Sequence, residues 1–248
     1  GDDVRVSTSA TFFDGTHAAG LELRTALVDY GEGEAPAPGI SMTTDEAGSA
    51  SGTLSIPAVA GEGYTVVDCT SVPARPEEGQ ISGTAPIVVF PSSNWLTATG
   101  SVTGGRLVIS GHVAKVDLAR LERELAAGGW PDDPGGAPVG GAHVTIRVVH
   151  VVEVKRLIRN DYDFIEKKVV PVYEYDEKQV PLGSYTAIST STGAVSLNVA
   201  VPVPGDSYDV ELAVKDAKGR TAKVELFARE ASVVPRFVKT FQLEGPAT

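Results

Sequence analysis

The chain has 248 residues, enough for two domains of ordinary size, and its 42% hydrophobic and 21% charged residues are those of a soluble globular protein. No apolar run approaches the roughly 20 residues that cross a bilayer, and a single cysteine, Cys69, excludes an intrachain disulfide and a thiolate zinc site. The net charge of −11 is concentrated at the front, where residues 1–86 carry 13 acidic and 3 basic side chains against 19 and 18 in the remainder. Such a surface argues against nucleic acid or an anionic membrane as partner.

Twenty-seven glycines, 16 prolines and one short helical periodicity point to many strands joined by turns, an all-β chain. Gly1-Asp2-Asp3 has the character of neither a signal peptide nor an anchor. Val4 to Phe13 alternates as a strand and stops at Asp14. The glycine-bounded stretch Gly15 to Gly20 leads into the strand Leu21 to Val28. A glycine turn at Gly48 then opens an alternating strand that ends at Pro57, and Tyr64 opens the next.

The same pattern recurs later. Arg106 to Val116 stops at Asp117, Gly136 to Gly141 leads into Val144 to Val149, Gly193 opens a strand ending at Pro202, and Tyr208 follows. Gly20 to Gly48 spans 28 residues and Gly141 to Gly193 spans 52, so the second copy carries an insertion of 24. A further strand candidate, Asn94 to Thr99, precedes the second copy and has no room in the first. The sequence therefore predicts two consecutive β-sandwiches, residues 1–86 and 87–232. The first lacks its opening strand, and 233–248 is a linker or, at Phe237 to Leu243, the first strand of another domain.

Two additions decorate the second domain. Apolar residues at 118, 121 and 125 behind Asp117, with Gly128 and Gly129 beyond, predict a short helix over 117–127, and Trp130 to Gly136 reads as loop. The insertion, about 150–184, alternates on both sides of Arg159 to Asp163 and reads as a long hairpin turning there.

Several short motifs resemble macroglobulin-type domains of bacterial α2-macroglobulin family proteins. They are Gly-Ala-Pro-Val-x-Gly-Ala-x-Val at 136–144, the Tyr162/Phe164 and Tyr173/Tyr175 hairpin, Ser-Thr-Gly at 191–193, and Tyr208 through Asp216 to Arg220. Ala10-Thr-Phe-Phe-Asp14-Gly15 and Thr44-Asp45-Glu46-Ala47-Gly48 are similar in the first half. The resemblance implies immunoglobulin-like (macroglobulin-type) sandwiches from a protein that traps proteases after cleavage of a bait segment, outside the cytoplasm at the cell surface or in the periplasm. Many such proteins carry a Cys-x-Glu-Gln thioester; Cys69-Thr-Ser-Val72 does not match it. The implied partners are neighbouring domains of the same polypeptide and proteases.

Candidate chemistry is sparse. The four histidines, His17, His112, His143 and His150, accompany no nucleophile-elbow serine, and His143 and His150 fall on opposite faces of one strand. No catalytic, cofactor-binding or metal-binding residue is assigned. Asp132, Asp133, Asn160, Asp161 and Asp163 are hard oxygen ligands in type, but they are equally the residues that turns require. Tyr173 and Tyr175, with Phe164 across the hairpin, offer an interaction surface for a sugar or peptide, against the simpler reading of cross-strand packing. Lys155, Arg156, Arg159, Lys167 and Lys168 supply trypsin-type cleavage points that suit a bait, whereas the alternation around them suits a paired hairpin edged with solvated cations. The expected function is a non-catalytic module of an α2-macroglobulin-like protein. The alternative is a stalk or ligand-binding module of a bacterial adhesin, in which Lys115 and Asn198 are conceivable partners of an isopeptide bond.

Overall fold

The computed structural model describes residues 2–28, 39–56, 58–59, 61–75, 81–129 and 133–230. The stretch Phe237 to Leu243 and Asp132 lie outside them. The chain forms two compact units, Gly1–Pro91 and Ser92–Thr248, and both are β-sandwiches.

In the first unit β1 (Asp2–Ser9) pairs with β4 (Ser49–Ile56). The facing sheet has the order β3 (Gly39–Thr43), β2 (Glu22–Val28), β5 (Thr65–Pro73), β6 (Gly83–Val89). In the second unit β7 (Asn94–Thr103), β8 (Arg106–Val116) and β12 (Ala194–Ala200) form one sheet, which the short β9 (Gly135–Pro138) joins at β8. The other sheet runs β11 (Lys168–Ile188), β10 (His143–Asp163), β13 (Ser207–Lys215), β14 (Thr221–Ala228). The order 3-2-5-6 thus recurs as 11-10-13-14, and the pair 1-4 recurs as 8-12. β7 has no counterpart among the described strands of the first unit.

Alternation explains the burial. Leu107, Ile109 and Val113 on β8, Val144, Ile146 and Val148 on β10, and Tyr208, Val210, Leu212 and Val214 on β13 all face inward and belong to one core. The first unit's core is divided into a cluster of Leu27, Leu54, Ile56, Val67 and Cys69 and a smaller one of Leu23, Met42 and Ala50. Between them lie buried hydroxyls, Thr25 Oγ1 at 2.7 Å from Ser71 Oγ, which is also 3.2 Å from Thr8 Oγ1. The register pairs Thr25 with Ser71 where the second unit pairs Ile146 with Leu212. The first unit has placed hydrogen bonds where the second has hydrocarbon. Each hydroxyl can both donate and accept, so the buried Thr25 and Ser71 hydroxyls each have a partner.

Register corrects one sequence alignment. Ser71 pairs with Thr25 as Leu212 pairs with Ile146, so Val67, four residues before Ser71, stands where Tyr208 does and the two tyrosines that open strands are not equivalent. Tyr208 is fully buried, its hydroxyl donating to the Val203 carbonyl at 2.6 Å, whereas Tyr64 packs on Phe90 with ring centroids 5.7 Å apart. Spacing after a proline counts loop residues and cannot fix a strand's register.

The helix α1 (Leu118–Ala126) forms where the sequence predicts it. Asp117 caps it by accepting from the Arg120 amide at 3.0 Å, Leu121 is its buried contact, and Gly128 beyond its end is left-handed. No helix among the described residues is long and apolar enough to cross a membrane.

Candidate functional site

The insertion is a two-stranded ribbon. β10 and β11 are 21 residues each and pair along their length, but β13 pairs with β10 only from Val144 to Val151. Beyond Val151 no other described strand pairs with the ribbon, and at about 3.4 Å per residue it runs on for roughly 40 Å. The chain reverses at 164–167, not at Arg159 to Asp163 as the sequence suggests. Asp163 Oδ1 accepts from the amides of Ile165 and Glu166, and Lys167 takes a φ of 51°, which fixes the turn four residues later. Arg159, Asn160 and Asp161 are paired strand residues. Polar side chains are no obstacle to a strand that buries neither face.

Two register shifts shape the ribbon. At Val148/Val149 the partner strand skips Leu182, and at Leu157/Arg159 Ile158 is the extra residue. The second bulge changes which parity faces which side. Leu157, opposite Tyr173, and Tyr162, opposite Val169, thereby fall on the same face as Tyr175 and Lys155. Arg156, Glu174 and Asp176 take the other face, where Arg156 contacts both carboxylates. The hydrogen bond and charge of Glu174, joined by Asp176, raise the Arg156 pKa. The ribbon is therefore two-sided, with the tyrosines, Leu157 and Val169 beside Lys155 on one face and the Arg156 ion pairs beside Val154, Val170 and Val172 on the other.

The predicted interaction residues are partly brought together. Tyr173 and Tyr175 share a face, and Lys155 Nζ lies 3.7 Å from the ring centroid of Tyr173 and 5.8 Å from that of Tyr175. Phe164 is not across from them. It sits in the turn, 82% exposed, and meets Tyr162 edge-on with centroids 5.1 Å apart. Leu157, Ile158, Ile165 and Val169 are exposed apolar residues on the same ribbon that sequence reasoning did not single out. The signal was present as Leu-Ile at 157–158, but period two reads one as inward and one as outward.

Of the cationic residues, Lys155, Arg156 and Arg159 are paired positions of β10, Lys168 opens β11 beside Glu166, and Lys167 is in the turn. Arg159 is held by Asp161 at 2.9 Å. Asp133 accepts from the Gly135 amide at 2.9 Å. Among the described residues no three His, Cys, Asp or Glu side chains converge as a metal site.

His150 faces inward at the ribbon's base and His143 outward. His150 Nε2 is 2.7 Å from Asp206 Oδ2, and its ring stacks on Tyr208 at 5.0 Å. Together with the Tyr208 hydroxyl on Val203, this ties the loop between β12 and β13 to the sheet. Burial raises the Tyr208 pKa. Lys115 reaches Asn94 Oδ1 at 2.8 Å, while Asn198 Oδ1 accepts from Arg106 Nε at 2.5 Å. The lysine and asparagine considered together in the sequence are thus bound to different residues.

No protein-family model matches the sequence, and no curated protein matches it significantly. Solved structures do. Elastase-activated Escherichia coli α2-macroglobulin is similar over 94% of this chain at 11% identity, with a TM-score of 0.50. The fold is that of macroglobulin-like domains. The native form of the E. coli protein (13% identity, 92% of this chain, TM-score 0.47) and Salmonella α2-macroglobulin reacted with methylamine (11%, 92%, 0.49) are further likenesses. This chain spans only 21%, 15% and 16% of those three chains.

Proposed function

We propose that the chain is a non-catalytic structural module of an α2-macroglobulin-like protease-trapping protein, acting outside the cytoplasm. In this reading the apolar ribbon face packs against neighbouring domains of the parent polypeptide. The supporting observation is the ribbon itself: it leaves the sandwich, and its uncovered face carries Leu157, Tyr162, Val169, Tyr173 and Tyr175 at 37–64% exposure. An isolated two-stranded ribbon is marginal in water, and an apolar face of this kind marks an interaction site. A paired ladder through Lys155, Arg156 and Arg159 also fits scaffold better than bait, because proteases cleave extended chain free of pairing.

Limited proteolysis of the whole chain with trypsin, chymotrypsin and elastase, mapped by mass spectrometry, tests the proposal. Scaffold predicts that 155–180 survives as long as the sandwich strands. Early cuts by all three confined to 155–180 would instead make the segment a bait.

A further inference from the structure

The outer face of the second unit's sheet of β11, β10, β13 and β14 carries a hollow of about 590 Å³ at the end of β10 away from the ribbon, lined by His143, Thr145, Ala213, Lys215 and Thr221. Register makes the hollow. Thr145 pairs with Ala213 and Ala213 with Lys223, while Lys215 pairs with Thr221 and, together with His143, flanks the Val144–Val214 pair. Residues two apart on a strand share a face, so His143, Thr145, Ala213 and Lys215 point outward on the side opposite the buried Val144 and Val214. Ala213 has the smallest side chain of this group. Its methyl is the floor, and the longer neighbours are the walls.

The charge around the hollow is opposite to that of the chain. Residues 212–224 hold four cations, Lys215, Lys218, Arg220 and Lys223, against one acid, Asp216, in a protein of net charge −11. Arg220 is bonded to Asp216 at 2.9 Å and Lys223 to Glu211 at 3.1 Å. Asp216 is buried and Glu211 is covered by Lys223, so neither carboxylate is free to neutralise a further cation. Lys215 is the one Lys or Arg among the described lining residues. Its ammonium group, the His143 ring and the hydroxyls of Thr145 and Thr221 make no hydrogen bond or ion pair among the described residues. One available ammonium group, two hydroxyls and an imidazole therefore surround an apolar floor.

We propose that this hollow binds a sugar acid. A single positive charge matches one carboxylate better than a doubly charged phosphate, polar groups that both donate and accept match ring hydroxyls, and a methyl floor matches the C–H face of a pyranose. Lys215 takes the carboxylate, Thr145, Thr221 and His143 bond the hydroxyls, and the ring lies on Ala213. No residue of the ribbon takes part, so the inference is independent of the trapping reading.

The test titrates sodium glucuronate into the full chain at constant ionic strength and follows amide chemical shifts by NMR. Saturable shifts centred on Thr145, Ala213, Lys215 and Thr221 are expected with a Kd of about 1–10 mM, the weak affinity of an open site with one charge. Glucose, which lacks the carboxylate, should produce none at the same concentrations. Lys215→Gln removes the charge and Ala213→Met fills the floor with the charge intact, and each should weaken binding about tenfold or more. Both side chains lie on the outer face, so the fold is retained. An oligomer of the same uronate binding about tenfold more tightly than the monomer would place the ligand in a polysaccharide, and equal affinity would make it a free sugar acid. No saturation up to about 50 mM glucuronate, shifts centred elsewhere, equal binding of glucose, or unchanged binding by either variant would overturn the proposal.

Discussion

Thr44 and Ser189 do the same task in the two units. Thr44 Oγ1 accepts from the Leu21 amide and donates to the Ala18 carbonyl, and Ser189 Oγ accepts from the Ala142 amide and donates to Val139. Both are buried, at 4% exposure. Each hydroxyl stitches the loop entering β2 or β10 to the turn that follows β3 or β11. Losing it strands a buried N–H and a buried C=O, at about 1–3 kcal/mol. Thr44→Val should therefore lower the unfolding midpoint of the first unit, and Ser189→Ala that of the second, in denaturant titrations read residue by residue.

Gly48 and Gly193 are the turn glycines that follow, with φ of 70° and 79°. A Cβ on either would lie 2.4 Å from a backbone oxygen, Ala10 O or Val113 O. Alanine at either place combines left-handed strain with a clash against backbone that cannot swing away. Gly193→Ala should cost about 1–3 kcal/mol or more, measured by urea unfolding, and Gly104→Ala, which meets no neighbour within 4 Å, should cost less.

Asp216 gives the protein an acid-sensitive staple. Burial alone would raise its pKa. The Ser93 amide at 3.0 Å, the Arg220 guanidinium at 2.9 Å and the Arg220 amide outweigh burial and hold it well below the usual carboxylate range. A folded-state pKa below the unfolded one means that this stability is fully present above about pH 4 and fades as pH falls below it. Asp216→Asn should flatten that part of the stability–pH curve of the second unit and lower its stability at pH 7, both read from thermal melts between pH 2 and 7.

Lys155 links the tyrosine pair to the opposite strand of the ribbon. Lys155→Met keeps the aliphatic stem and removes the cation over Tyr173. At a site this open the loss should be about 0.5–1 kcal/mol. It should appear as faster amide exchange near Tyr173 with no change in the sandwich core.

Removing the Tyr208 hydroxyl tests the loop anchor at the ribbon's base. Tyr208→Phe leaves the ring on His150 but breaks the bond to Val203 O. A loss of about 1 kcal/mol is expected, seen in urea unfolding of the second unit.

The sequence by itself determined the all-β class, the recurrence of the strand pattern, the helix behind Asp117 and the presence of a long hairpin. Each of these is written in local signals: alternation, a capping aspartate, a glycine with positive φ. Pairing decided the rest. Ile158 is an extra residue only because Leu157 and Arg159 have neighbours across the ribbon, and that bulge selects which aromatic residues share a face. Tyr208 is distinguished from Tyr64 only by the strand beside it. The half-burial of Val4 and Val6 is likewise no property of β1's own residues, since they alternate as the buried Leu107 and Ile109 do. Burial is conferred by a neighbouring strand, and strand neighbours are chosen by long-range contacts that local periodicity does not encode.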